Sequence, residues 1–187
     1  MESDPVARIA ELLARRNQID AEIASVISRP MTAGHLGEWI AARVFAIALE
    51  ESATAPGIDG HFQSGPLEGK TVNVKWYLKD ESLLDIAISA APDVYLVLTG
   101  PRAAAVSSKG SHRPWVIETV YLLDTTALMT ELGNSGVRIG AATSLRRAFW
   151  QASEIYPNPI NTALPLDPDQ RAMLSRFVPK TATQPKA

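Results

Sequence analysis

The chain begins with two stretches in which apolar residues recur at helical spacing. In the first, over residues 5–28, Asp4 stands at the N-cap position and Pro5 at the first helical position. Its apolar residues fall along one side: Val6, Ile9, Leu12, Leu13, Ile19, Ile23, Val26 and Ile27. The second stretch, over residues 33–50, is apolar nearly all round, which is typical of a buried helix. The pattern therefore predicts two helices, separated at Arg29-Pro30.

Beyond Pro56-Gly57 the pattern becomes typical of strands. Residues 58–63 and 71–77 are predicted as two strands joined by a turn at 64–69. The apolar run over 93–98 suits a central strand that is covered on both faces. The remaining elements are predicted as a helix over 81–90, a strand over 115–123, a helix over 125–132, a short strand over 137–141 and a helix over 144–156. This order predicts an α/β fold, a single domain with a mixed β-sheet flanked by helices.

The length of 187 residues is that of one domain, with 46% hydrophobic and 20% charged residues. We expect an N-terminal helix over residues 1–30, a core over 31–177 and a disordered tail over 178–187, where two prolines stand among residues with little to bury. The longest apolar stretch, over 39–49, is too short to span a bilayer and contains Arg43, so no membrane partner is expected. The acidic N-terminus lacks the basic start of a secretory signal, which predicts a cytoplasmic protein.

The chain has no cysteine, which excludes disulfides, thiol catalysis and thiolate zinc sites. Its three histidines, His35, His61 and His112, do not have the spacing of metal ligands. The net charge of −2 argues against a large surface that coats DNA through many phosphate contacts. A local basic groove around an acidic, metal-holding centre remains compatible with that charge.

Candidate chemistry centres on the second predicted strand, where side chains alternate between faces. Asn73 and Lys75 share the face opposite to the apolar positions, and the short turn allows Asp59 to lie across from them. Glu38 stands among apolar residues of the second helix. Since a carboxylate is costly to bury unless a metal, a cation or hydrogen-bond donors meet it, Glu38 needs a partner. Read singly, Glu38 can be paired with Arg43 or another cation, Asp59 can be a turn residue and Lys75 an exposed strand lysine.

Three segments, Gly37-Glu38, Ile58-Asp59-Gly60 and Val72-Asn73-Val74-Lys75, together resemble the PD-(D/E)xK nuclease superfamily. The resemblance covers residues 33–100 and implies a restriction endonuclease-like fold. It implies that Glu38, Asp59 and Asn73 hold Mg²⁺ (or Mn²⁺), and that Lys75 positions or activates the attacking water. The catalytic residues would then be Asp59, Lys75 and Glu38. The implied activity is metal-dependent cleavage of DNA in restriction, defence or repair, and the analogy also implies a homodimer.

The chain departs from the family pattern at one position. The second acidic residue is replaced by Asn73, which offers a neutral carbonyl oxygen, although Glu38 can partly compensate. Two interpretations therefore stay open. The protein is either an active metal-dependent nuclease, which we favour narrowly, or an inactive module of the same fold that binds nucleic acid or a protein partner.

Two further sets of residues are candidates for contact with nucleic acid. Lys109, His112 and Arg113 lie in a Ser- and Gly-rich stretch that suits phosphate contacts, although a solvated surface loop has the same composition. His61 shares the face of Asp59 at strand spacing and can either contact substrate or serve the structure.

Two literal motif matches are interpreted as structural. Glu68-Gly69-Lys70 spells E-x-K, but it falls where a turn is predicted, so its side chains should point to solvent. Pro92-Asp93 spells P-D, but no acid-x-Lys strand follows, so we expect Asp93 to end the preceding helix or to cap the strand.

Overall fold

In the computed structural model of the chain, the described residues are 4–50, 57–86, 91–102, 113–137, 139–140 and 142–178. The central sheet contains β1 (Ile47–Leu49), β2 (Gly60–Phe62), β3 (Thr71–Tyr77), β5 (Val94–Thr99), β6 (Thr119–Asp124) and β8 (Glu154–Tyr156). A separate antiparallel pair is formed by β4 (Leu83–Leu84) and β7 (Thr143–Ser144). The helices are α1 (Pro5–Ile27), α2 (Ala33–Val44), α3 (Thr125–Ser135), α4 (Arg147–Ala152) and α5 (Pro168–Ser175).

The six strands lie in the order β1-β2-β3-β5-β6-β8. Strands β3 and β5 run parallel, with Val72 beside Val94 and Tyr77 beside Thr99, and the other neighbouring strands run antiparallel. All six residues of β5 are buried, as the sequence predicted for a central strand. The prediction of a single α/β domain with a mixed sheet flanked by helices is therefore confirmed.

Each face of the sheet packs against its own apolar cluster. On one face, α2 and α5 cover the inward residues of β3, β5 and β6, with Ile40, Val74, Leu96, Leu122 and Leu174 among the buried residues. On the other face, α3 and α4 cover alternate residues of β5 and β6, with Tyr95, Val97, Leu123, Leu128 and Trp150 buried. The strands therefore form the middle of three layers.

Helix α2 packs unusually closely on β3. A Cβ atom added at Gly37 would lie 2.8 Å from Cβ of Trp76, a distance that side chains do not tolerate. Glycine at this position therefore permits the approach, which also brings the backbone of the next residue, Glu38, close to β3.

Helix α1 begins as the sequence predicted and is otherwise exposed. The Asp4 carboxylate accepts a 2.9 Å hydrogen bond from the backbone N–H of Val6, and Ser28 ends the helix in the left-handed conformation, with φ of 56°. Of its residues, only Ile27 is buried. Among the described residues, no helix is long and apolar enough to cross a membrane.

The second helix ends earlier than predicted. Instead of continuing to Glu50, α2 stops at Val44, and Ala46, with φ of 52°, turns the chain into β1. The prediction was wrong because residues that are apolar on every side suit a buried strand as well as a buried helix. Pairing of β1 with β2, from Ile47 beside Phe62 to Leu49 beside Gly60, decides between the two.

Three later predictions also need correction. Residues 81–86 are not helical: the Asp80 carboxylate accepts a hydrogen bond from the Ser82 N–H, and this turn leads into β4. Residues 87–90 lie outside the described residues. The helix predicted over 144–156 is divided into α4 and the edge strand β8, and the short strand predicted over 137–141 is replaced by β7, since its described residues (137, 139 and 140) belong to no strand.

Candidate functional site

Glu38 is paired with a cation that the sequence did not single out. Its Oε2 accepts a 2.8 Å hydrogen bond from Nη1 of Arg29, and the Glu38 side chain is 18% exposed. Arg29 follows α1 directly, beyond the left-handed turn at Ser28. Arg43, the cation that the sequence offered by name, stacks over the ring of Trp39 at 3.7 Å. The arrangement therefore satisfies Glu38 through an ion pair between the end of α1 and the middle of α2.

Asp59 is held where β2 and β3 separate. The ladder between these strands pairs Gly60 with Val72, and the backbone N–H of Asp59 donates to the Val72 carbonyl at 2.9 Å. Two residues further along β3, Oδ2 of Asp59 accepts a 2.6 Å hydrogen bond from the Val74 N–H. Asp59 is therefore hydrogen-bonded to the backbone of β3 twice, through its own N–H and through its carboxylate. The carboxylate accepts from a part of β3 that β2 does not cover.

The environment of Glu38 disfavours its charged form. Desolvation by burial raises the pKa of Glu38, and the negative charge of Asp59 raises it further. Arg29, His35 and Lys75 lower the pKa of Glu38 without cancelling the increase. Two carboxylates from separate elements therefore lie close enough to repel each other.

Asp59 is shifted in the same direction. Burial raises the pKa of Asp59, while the Val74 N–H and the charges of Lys75 and Arg29 lower it, with burial the larger effect. Lys75 is partly buried on β3. Its charge acts on both carboxylates, so the structure brings Glu38, Asp59 and Lys75 into one neighbourhood. These three are the residues that the sequence proposed as catalytic.

Asn73 is buried but separate from these contacts. Val72 and Val74 pack on the α2 side of the sheet, so strand alternation puts Asn73 on the opposite face, where it is 3% exposed. Its Oδ1 has no hydrogen-bond partner in the described part of the chain. A buried polar atom without a partner is rare in folded proteins. Its predicted role as a metal ligand stays a prediction.

The oxygen atoms available here fit a hard divalent cation. Glu38 and Asp59 supply carboxylates, a ligand type that Mg²⁺ prefers, whereas the amide of Asn73 lies on the opposite face of the sheet. Within the described ranges, no group of three or more His, Cys, Asp or Glu side chains could hold a metal ion. The ligand set that this geometry supports is therefore the pair of carboxylates.

Two of the nucleic-acid candidates, His61 and Arg113, lie in the described part of the chain, each near a glutamate. His61, on β2, is exposed, and its Nδ1 lies 3.9 Å from Oε1 of Glu50. Arg113 is exposed and lies 3.8 Å from Oε1 of Glu81. Lys109 and His112 fall outside the described residues.

The two literal motif matches, Glu68-Gly69-Lys70 and Pro92-Asp93, are joined to each other by a hydrogen bond. Glu68 lies exposed in the turn before β3, while Nζ of Lys70 donates to Oδ1 of Asp93 at 3.0 Å. Oδ2 of Asp93 accepts bonds of 2.8 Å from both the N–H and the hydroxyl of Thr71. The Thr71 N–H, the Lys70 ammonium and the Thr71 hydroxyl lower the pKa of Asp93 to about 2. Asp93 therefore joins the start of β3 to the start of β5.

Sequence reasoning missed Arg29 and the electrostatic contribution of His35. The available signal was the need of Glu38 for a partner, but the chain contains several arginines at comparable distances along the sequence. His35 lies in the first turn of α2, where its N–H donates to the Thr32 hydroxyl and its ring Nδ1 lies 2.9 Å from the Pro30 carbonyl. These contacts arise from the turn between α1 and α2, which periodicity does not encode.

Comparison with known proteins adds no family assignment. No model of a protein family matches the chain, and no curated protein matches it.

Proposed function

We propose that Glu38, Asp59 and Lys75 form the centre of a metal-dependent phosphodiesterase that acts on DNA. The observation that carries the proposal is the convergence of two partly buried carboxylates, each with a raised pKa, beside a lysine at the open edge of β3. Shifted carboxylates that share a site are typical of catalytic and metal-binding centres.

The charge balance of the site favours a divalent cation. Arg29 is hydrogen-bonded to Glu38, but Asp59 has no ion pair with a described residue and retains the cost of burial. A cation shared by both carboxylates would lower both pKa values and remove their repulsion. In this proposal Mg²⁺ or Mn²⁺ is shared by Glu38 and Asp59.

The residues of the chain then have distinct tasks. A bound divalent cation polarises a phosphate oxygen and lowers the pKa of water. The Val74 N–H holds Asp59 through Oδ2, which leaves Oδ1 for the cation. Lys75 supplies a positive charge and hydrogen-bond donors for the attacking water and for the charge that develops on the phosphate.

The order of elements is compatible with this proposal. Helix α2 is followed by the antiparallel strands β1, β2 and β3, and the chain then returns to place β5 parallel to β3. We therefore include in the proposal a restriction endonuclease-like fold and membership of the PD-(D/E)xK superfamily, with a role in restriction, defence or repair.

A second candidate function is that of an inactive module of the same fold that binds nucleic acid or a protein partner. Two observations favour it. Arg29 already neutralises Glu38, and Asn73 stands where the family carries its second acid. A module of this kind would keep the ion pair permanently and would not need the cation.

Cleavage of plasmid and single-stranded DNA with Mg²⁺ or Mn²⁺ tests the proposal. We expect Asp59→Asn, which keeps an acceptor for the Val74 N–H, and Lys75→Met each to lower the rate by roughly a hundredfold or more. Glu68→Gln, in the exposed turn, is the matched control and should cleave like the wild-type protein. Absence of metal-dependent cleavage by the wild-type protein on either substrate would contradict the proposal and favour the second candidate.

A further inference from the structure

Helix α1 carries an apolar stripe on a side that the rest of the described chain leaves open. Its members alternate at spacings of three and four residues: Ile9, Leu12, Arg16, Ile19, Ile23 and Val26. Ile9, Leu12, Ile19 and Val26 are 56%, 41%, 55% and 66% exposed. This alternation is the pattern by which two helices pack side by side, with an occasional polar residue in the stripe setting the partner and register.

The C-terminal half of the stripe borders an open groove. The groove has a volume of about 540 Å³ and lies between α1 and the body of the domain. Among its lining residues are Ile19 and Ile23 of α1, and Leu36, Trp115 and Phe177. Apolar residues therefore stand on both walls, together with the charged Arg16, Asp20 and Arg113, and this mixed lining suits a second amphipathic helix laid along α1.

The charges of α1 are divided between its two halves. Residues 5–16 contain three arginines and one glutamate, while residues 17–27 contain Asp20 and Glu22 and no basic residue. Two such helices that run parallel bring like charges together. Two that run antiparallel bring the basic half of each against the acidic half of the other, which is the favourable arrangement.

We propose that α1 pairs in antiparallel orientation with α1 of a second copy of this chain, so that the protein is a symmetric dimer. In this register Ile9 packs against the partner's Val26 and Leu12 against the partner's Ile23. Because the symmetry is two-fold, each contact occurs twice. Arg15 directly precedes Arg16 of the stripe, and Glu22 directly precedes Ile23, so both flank the stripe on the same side of the helix. In an antiparallel pair, Arg15 of one copy therefore faces the partner's Glu22.

Molecular mass in solution tests the pairing. By light scattering during gel filtration, the full-length chain should have twice its monomer mass. Leu12→Lys, within the stripe, should give a monomer with an unchanged far-ultraviolet circular dichroism spectrum. Ala14→Lys is the matched control, since Ala14 is exposed on the same helix outside the stripe and the variant should remain a dimer. A monomeric wild-type protein at every concentration, or equal effects of the two variants, would overturn the proposal.

Orientation is tested by disulfide formation, because the chain has no cysteine of its own. Ile9→Cys mixed with Val26→Cys should cross-link under mild oxidation, whereas Val26→Cys alone should not. Cross-linking of Val26→Cys alone would indicate parallel helices and overturn the proposed arrangement.

Charge reversal tests the register. Arg15→Glu should weaken the dimer roughly tenfold, and adding Glu22→Arg to that variant should restore the affinity. Failure of the second substitution to restore it would contradict the facing of Arg15 with the partner's Glu22.

Discussion

Nη1 of Arg29 donates a 2.8 Å hydrogen bond to Oε2 of Glu38, and this ion pair joins the end of α1 to α2. It is the cation that the buried carboxylate requires, and it lies beside Asp59, whose charge acts on Glu38. Glu38 is thus both the partner of Arg29 and one of the proposed ligands of the cation, so substitution of Arg29 should affect the stability of the domain and the candidate site together.

Removal of the cation should expose the cost of burying Glu38. We expect Arg29→Met to lower the free energy of unfolding at pH 7 by about 1–3 kcal/mol, because Glu38 is left charged without its partner. Urea unfolding measures this difference. Adding Glu38→Gln should recover most of the loss. Arg43→Met is the matched control, since Arg43 stacks on Trp39 and should cost less than about 1 kcal/mol. Equal losses for the two arginine variants would contradict the assignment.

The raised pKa values of the two carboxylates predict a pH dependence of stability. Between the unfolded values, 4.5 for Glu38 and 3.8 for Asp59, and the higher folded values, the folded state binds more protons than the unfolded state. The contribution of these groups to stability therefore falls as pH rises through this window. Asp59→Asn removes the titrating carboxyl group, and with it the part of this loss of stability that Asp59 causes. The amide oxygen can still accept the hydrogen bond from the Val74 N–H. We expect urea unfolding to find this variant as stable as the wild-type protein at pH 7 or more so. A clear loss of stability at pH 7 would contradict the prediction.

A divalent cation should stabilise the folded protein if the proposed site is correct. A ligand that binds only the folded state at a hundredfold excess over its dissociation constant adds about 2.7 kcal/mol, which corresponds to roughly 5–10 °C in Tm for a domain of this size. We expect Mn²⁺ or Mg²⁺ to raise Tm of the wild-type protein and of Glu68→Gln, and not of Asp59→Asn. Equal shifts in all three proteins would indicate binding elsewhere.

Close packing of α2 on β3 predicts opposite effects for two glycines of one helix. Gly37→Ala would bring Cβ to 2.8 Å from Cβ of Trp76, so the helix must move, at a cost of about 1–3 kcal/mol. Gly34→Ala meets nothing nearer than 3.9 Å and should stabilise the helix by up to about 0.5 kcal/mol. Thermal unfolding compares the two variants. Because Glu38 follows Gly37, only Gly37→Ala should also weaken the stabilisation by Mn²⁺.

Asp93 should matter for stability and not for catalysis. Its pKa of about 2 lies below the ordinary value of 3.8, so its stabilising contribution is present above pH 4 and is lost as pH falls toward 2. We expect Asp93→Asn to lower the free energy of unfolding by about 1–2 kcal/mol at pH 7 and to lose less at pH 2. Urea unfolding at the two pH values measures this, and metal-dependent cleavage should be unchanged. A cleavage defect in a folded Asp93→Asn protein would assign Asp93 a role in the site.

Local pattern alone predicted much of the fold. Asp4 and Pro5 marked the start of α1, alternation marked β3, and the continuous apolar run marked β5, because each signal depends on residues a few positions apart. The same reasoning misjudged the end of α2 and missed β8. Both segments are apolar and short, and strand pairing with distant residues determines their structure.

The sequence by itself determined the α/β class and the choice of Glu38, Asp59 and Lys75 as candidates. It also predicted the turn at 64–69, which argues against Glu68 as a catalytic residue. Only the tertiary structure decided what each of them meets. Arg29 reaches Glu38 because of the turn after α1, and Asp59 reaches the Val74 N–H because β2 leaves the edge of β3 open. Periodicity records which side of an element is apolar. Partners brought together by chain turns depend on the packing of whole elements, and no local spacing encodes that packing.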